Sequence, residues 1–263
     1  MDMIAEMDWV LVPAGGVLGL LIGSFIGAVS MRLPRGEGIV AGRSHCDLCG
    51  EQLRIADLVP VLSHLVARGR CRHCGGKIDS QHLIAEFGGA FVGAAAMAAG
   101  ETLADGALIA IMGWQLLLLA LLDARHFWLP APAIALLGVS SALVPLEAWW
   151  SGGDVLVSLL GQLAGGGLGF ALLAAPALIY RAVRGRDGMG RADPWLLGAI
   201  GLWTGAMGAV FTLLLAAFAG LVLALFLKIA GRDVDVQSAL PLGTLMALAA
   251  YALMVASRVP LVS

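Results

Sequence analysis

From Pro194 to Leu227 the chain runs 34 residues without a charged side chain. Similar apolar runs occupy 9–31, 83–100 (with Glu86 inside), 106–122, 127–146, 155–180 and 236–257. Only 13% of the residues are charged, about half the share in soluble domains. A soluble globular enzyme and a disordered chain are excluded together. The runs are continuous rather than alternating, which argues against a β-barrel. The expected fold class is an all-α polytopic membrane protein. Residues 9–31 alone supply 23 uncharged positions, enough to cross a bilayer. The first eight residues, MDMIAEMD, hold three acids and no base. No cleavable signal is read there, so the first run is expected to remain as a span. Thirty-six glycines suit helices that approach closely in lipid.

The run 194–227 has two readings. As one helix it would be about 51 Å long, beyond the ~30 Å hydrocarbon core. As two spans it would be tight, turning near Gly205 and Gly208. Charge placement decides. With the acidic N-terminus outside and two spans in 194–227, the inner side receives 15 of the 16 basic residues, leaving only Arg258 outside. Arg125, Arg181, Arg184, Arg186, Arg191, Lys228 and Arg232 all fall inside. Loops 101–105 and 147–154 face out and hold only acids. This positive-inside pattern predicts about eight transmembrane helices with both termini outside. No nucleic-acid partner is expected.

Residues 32–82 break the apolar pattern, carrying all four cysteines and four of the five histidines. They read as a polar domain inserted after the first span. Cys46-Asp-Leu-Cys49 is followed, after 21 residues, by Cys71-Arg-His-Cys74. Each C-x-x-C places two thiolates on one knuckle, and two knuckles close a tetrahedral zinc site. Gly50, Gly75 and Gly76 suit the tight turns that follow. Four unmetallated thiols is the other reading. Four cysteine ligands leave no open position, so a bound zinc would be structural. His45, His64, His73 and His82 are spare donors, read mainly as surface histidines.

Two aspartates stand at inner helix ends: Asp123, closing WQLLLLALLD, and Asp193, just before the run starting at Pro194. Ionisable groups at such depth are costly and tend to be functional. Two carboxylates brought close share a proton. One then takes a proton from water while the other polarises an amide carbonyl, without a metal. The plainer reading is helix capping, or pairing with Arg125 and Arg191; Asp193 before Pro194 looks like an N-cap.

Together these residues resemble the type IV prepilin peptidases, the leader peptidase/N-methyltransferases of bacterial membranes. The resemblance starts with Gly23-Ser-Phe25 and Arg32-Leu-Pro34, and is densest over residues 44–78. There Asp57-Leu-Val-Pro60, Ser63 and Gly69-Arg70-Cys71-Arg72 match the family, and Glu86 follows. In the second half, Asp123 with Leu129-Pro130 matches the first active-site segment, with Ala131 where the family has Asp. Gly190-Arg-Ala192-Asp193 matches Gly-x-Gly-Asp with Ala at the third position, and Trp195 stands for the family's Lys. Gly198 and Gly201-Leu-Trp203-Thr-Gly205 match beyond it.

The resemblance implies residues 1–31 as first helix, 32–82 as a methyltransferase-associated zinc domain on Cys46, Cys49, Cys71 and Cys74, and 83–263 as a membrane aspartic peptidase with Asp123 and Asp193 catalytic. The implied substrates are prepilins or pseudopilins, whose short basic leader ends in Gly before a hydrophobic helix. The leader would be cut after that Gly at the cytoplasmic face of the bacterial inner membrane. The new N-terminus, usually Phe, would then be methylated from S-adenosylmethionine. Glu86 is the acid nearest that second function, either toward the cofactor or as a helix-end acid paired with a base. Ala131, Ala192 and Trp195 keep a second class open, a catalytically altered zinc-ribbon scaffold of the same family. A transporter is a third.

Overall fold

In a computed structural model the described residues are 2–38, 44–231 and 240–258, with side chains from Val10 onward. Arg232 and the start of the 236–257 run lie outside them. The described residues contain no β-strand, only isolated bridges His45–Gln52 and Arg70–Lys77. The helices are α1 Asp2–Arg32, α2 Leu62–Val66, α3 Ser80–Ala99, α4 Leu103–His126, α5 Ala131–Ser140, α6 Leu143–Trp150, α7 Val155–Arg184, α8 Asp193–Ile229 and α9 Leu242–Ala256. Six segments among the described residues are long and apolar enough to cross a membrane, α5 and α6 counting as one, and α9 is a shorter apolar helix. Large side chains such as Phe25, Leu163 and Phe218 face outward. That is the expected arrangement where lipid is the solvent.

Two compact units divide the chain, 1–121 and 122–263, with the boundary inside α4. In the first, α1 and α3 run antiparallel in van der Waals contact. Gly15, Gly19 and Gly23 recur at four-residue spacing and so form one stripe. A Cβ added to any of them would strike the α3 backbone, at Gly93, Gly89 and Ala85 respectively. Small residues let the backbones meet where lipid offers no hydrophobic drive for association. A buried hydrogen bond from Gln81 Nε2 to Ser30 Oγ (2.8 Å) crosses the same seam. Asp79 caps α3 by accepting the Gln81 amide.

The second unit answers how 194–227 is accommodated. Gly205, inside α8, has φ 71° and ψ −177°, a backbone that only glycine adopts cheaply. The chain doubles back there. A Cβ on Gly169 of α7 would stand 2.5 Å from the Leu197 carbonyl oxygen and 3.4 Å from the Ala209 Cβ. A straight helix would hold Leu197 and Ala209 about 18 Å apart. α8 is therefore a hairpin with arms 193–204 and 206–229. The turn falls where the sequence places it. The first arm, about 18 Å long, is shorter than a ~30 Å core, so the hairpin dips and returns rather than crossing twice.

The run 127–146 also divides, between α5 and α6. Breaking a helix frees carbonyls that lipid cannot satisfy. Trp203 Nε1 donates to the Leu137 carbonyl (2.7 Å) and Gln162 Nε2 to that of Ser141 (2.8 Å), so both are taken by buried side chains.

Candidate functional site

The inserted loop is built from one knuckle used twice. In the first, the Gly50 amide donates to the Cys46 carbonyl and the Cys46 amide to that of Glu51, both at 2.9 Å. In the second, the Gly75 amide donates to Cys71 (2.9 Å) and the Cys71 amide to Gly76 (2.8 Å). Gly50 and Gly75 both adopt left-handed φ, 73° and 70°. This folding brings the sulfurs of Cys46, Cys49, Cys71 and Cys74 within 4.8 Å of one another. A tetrahedral zinc with ~2.3 Å bonds asks for sulfurs about 3.8 Å apart, so the four thiols fit a metal of that kind. The four thiols feel one another: backbone N–H groups of Cys74 and His73 pull the Cys71 thiol down to about 6, while desolvation and the neighbouring thiols push Cys49 up to about 12. The histidines stay outside the cluster. His64 lies beside Gly69. The His82 ring is 3.3 Å from Asp47, whose carboxyl this contact holds below the usual range.

Three ties set the rest of the loop. Asp57 pairs with Arg72 at 2.6 Å, joining the segment between the knuckles to the second knuckle. Arg35, just after α1, reaches Asp47 at 3.4 Å. Glu86, buried on α3, accepts the Val61 amide at 2.8 Å. Val61 follows Pro60 with φ 61°, a strained position for a β-branched residue. The Glu86 carboxylate thus holds this turn against the helix. Beside the turn lies a cavity of about 330 Å³, lined by Leu21, Ser24, Phe25, Arg32, Leu58 and Pro60 among others.

In the second unit the two expected aspartates are both buried, Asp123 to 5% exposure and Asp193 to 7%. Asp123 occupies the last turn of α4 and Asp193 opens α8. They lie within electrostatic reach of each other. Arg191, one candidate partner, turns instead to Asp187 at 3.0 Å. Asp193 is the first residue of α8 and Ala192 its N-cap, one position from the expected cap. Ala192 has φ −86°, so this third position of the loop needs no glycine. Gly190 does matter: a Cβ there would stand 2.8 Å from Asp193 Oδ2. Trp195 is exposed and packs on Phe170, ring centroids 4.7 Å apart.

The partners of Asp123 escape sequence reasoning. Its Oδ2 accepts the Thr244 amide at 2.7 Å and the Thr244 hydroxyl at 3.1 Å. Gly243 sits against it; a Cβ there would be 3.0 Å from Asp123 Cγ and 2.8 Å from Leu129 Cδ1. The one available signal was Gly-Thr at the head of the last apolar run.

A paired-knuckle thiol cluster and two buried carboxylates at helix ends define the class: a helical membrane protein with an insert able to hold a metal. Comparison with known proteins gives its family. Residues 17–99 match the bacterial peptidase A24 N-terminal domain and residues 110–225 the type IV leader peptidase family. A prepilin leader peptidase/N-methyltransferase of Pseudomonas putida is 30% identical, covering 89% of this chain and 87% of the relative. Proteins of the same name from Burkholderia pseudomallei (strain K96243; 31%, covering 88% and 81%) and Bacillus subtilis (strain 168; 31%, covering 82% and 85%) are similar too. No solved structure matches significantly. The chain belongs to the type IV leader peptidase family.

Proposed function

We propose that this chain is a membrane aspartic endopeptidase that removes the leader of a prepilin or pseudopilin, cutting after Gly at the cytoplasmic face of the bacterial inner membrane. It then methylates the new N-terminal amine from S-adenosylmethionine. The observation that carries the peptidase reading is the pair of buried carboxylates, Asp123 and Asp193, within reach of each other in one compact unit.

Two carboxyls brought together share one proton at a time. The ionised one takes a proton from water as the water oxygen attacks the scissile carbonyl carbon. The protonated one gives its proton to the carbonyl oxygen, forming a tetrahedral diol. The carboxyl that took the water proton then gives it to the amide nitrogen while the other takes a proton from a diol hydroxyl, and the C–N bond breaks to leave the leader's carboxyl, the pilin's free amine and the dyad as it began. Both protons are accounted for by the dyad, so no metal takes part in the step.

In the first unit, Cys46, Cys49, Cys71 and Cys74 would hold zinc. With four thiolate ligands the metal has no open position and serves to fold the loop. S-adenosylmethionine supplies an electrophilic methyl group when bound. The cavity beside the Pro60 turn is the space we assign to it; Arg32 in its lining would offer a cation to an anionic group, and Glu86 sets the turn that forms one wall. The positive-inside count supports the orientation, with residues 32–82 cytoplasmic. Reporter fusions after Lys77 and after Asp154 should report opposite sides; the same side for both would defeat it.

Cleavage of a prepilin by the Asp193→Asn protein, at wild-type abundance, tests the peptidase reading. Asn keeps the shape but cannot take a proton from water. Processing should stop, and near-normal processing would overturn the assignment.

A further inference from the structure

Asp123 is held by a helix that sequence separates from it by 121 positions. The first turn of α9 needs a cap, because the leading amides of any helix have no partner within it. Pro241, its N-cap residue, offers no side-chain hydrogen bond. The Asp123 carboxylate fills that role from α4, accepting both the amide and the hydroxyl of Thr244 on the same oxygen, Oδ2. The helix dipole favours an anion at this end. The carboxylate gets this close because Gly243 has no side chain. An added Cβ would press on Asp123 Cγ and Oδ2, both at 3.0 Å, and on Leu129 at 2.8 Å. That spacing is tighter than ordinary contact, with the two sides closed by Asp123 and Leu129.

We propose that the first turn of α9 is the seat of a reacting carboxylate, with Gly243 admitting Asp123 and Thr244 holding its Oδ2, so that Oδ1 is the oxygen presented for reaction. Both are positioning residues. The inference rests on Asp123 being catalytic, as proposed above. It assigns to the last helix a part in cleavage beyond spanning the membrane.

Gly243→Ala separates this from a merely structural role. Alanine is the better helix former at an ordinary first-turn position, so a structural role predicts an equal or better folded protein with unchanged turnover. A seat predicts that Asp123 is pushed off its oxygen geometry. The measurement is steady-state cleavage of a prepilin, per folded enzyme, for the wild type, Gly243→Ala, Thr244→Val, Thr244→Ser and Asp123→Asn. The expected result is a kcat lower by about tenfold or more in Gly243→Ala, with KM within about twofold, since small misplacements of a reacting group are costly. Thr244→Val, which loses the hydroxyl and keeps the amide, should lose less, and Thr244→Ser should stay near wild type. Wild-type kcat in both Gly243→Ala and Thr244→Val, with Asp123→Asn inactive, overturns the seat and leaves the dyad standing. Activity in Asp123→Asn overturns both. If Gly243→Ala does not accumulate, the Thr244→Val and Thr244→Ser pair decides by the same readout.

Discussion

The thiol cluster and the carboxylate pair both gather residues that are apart in sequence, by opposite means. The cluster is local. Two short knuckles with matching hydrogen bonds and matching left-handed glycines bring four sulfurs within 4.8 Å. Nothing outside residues 44–77 is needed to explain the geometry. The carboxylates depend on long-range packing: the ends of α4 and α8, the head of α9, and a hairpin hinged at Gly205. A site written in a spacing can tolerate a changed surrounding. One assembled from helix ends cannot, because each helix must stop at the right depth.

Breaking the pair directly should have the largest effect. Asp123→Asn, or Asp123→Asn with Asp193→Asn, should each lower prepilin cleavage by roughly 10³-fold or more, and the double variant should be little worse than either single, because residues acting as a unit do not add. A double variant much worse than both singles would show two independent contributions.

Next in size is the α1–α3 seam. Gly19→Val places a branched side chain against the Gly89 backbone, where even a Cβ does not fit. Overpacking of this kind costs about 1–3 kcal/mol or more. Thermal unfolding in detergent should show a lowered midpoint, and an unchanged midpoint would mean that the helices do not meet as described. The same change leaves the second unit's carboxylates untouched, so residual cleavage per folded protein sharpens the contrast between the two regions.

Cys46→Ser should abolish tight binding of one zinc per chain and make the loop between the knuckles sensitive to protease. Methylation is expected to fall before cleavage does. Metal analysis of the purified protein checks this. A chelator added to intact enzyme should leave cleavage within about twofold over a short assay, since the four-thiolate site has no open position for chemistry. Prompt loss of cleavage would place the metal in the peptidase step.

Of similar size or smaller is Gly205→Ala, which forces on an L-residue a backbone that only glycine adopts cheaply and costs about 1–3 kcal/mol. Ala192→Gly should be the smallest. Ala192 already adopts φ −86°, so restoring the family's glycine relieves no strain, and the cleavage rate should stay the same or rise by about twofold at most. A large gain would mean that the methyl hinders the loop.

Legibility follows the same divide. The cysteine spacing named all four ligand candidates, since a knuckle is a short-range object with side chains at stated offsets. The two aspartates were legible from their place at the ends of apolar runs, and Gly205 from the excessive length of the run around it. The shortness of the first hairpin arm was not, because hydropathy counts residues and does not see where a chain turns back. Glu86 stood out as an acid in an apolar run. Its partner did not, because a backbone amide at Val61 leaves no residue type to recognise.

Sequence alone determined that this chain lives in a membrane as helices, that a four-thiol insert interrupts them, and that two acids stand at helix ends. Those properties follow from composition, period and spacing, which every stretch of chain carries by itself. Only the tertiary structure decided that α8 folds on itself at Gly205, that glycine stripes set α1 on α3, and that the head of α9 receives Asp123. Each of these is a contact between surfaces distant in sequence. All three depend on a glycine, and in two of them, the α1–α3 stripe and Gly243, the absent Cβ acquires meaning only when the atom it would have struck is known.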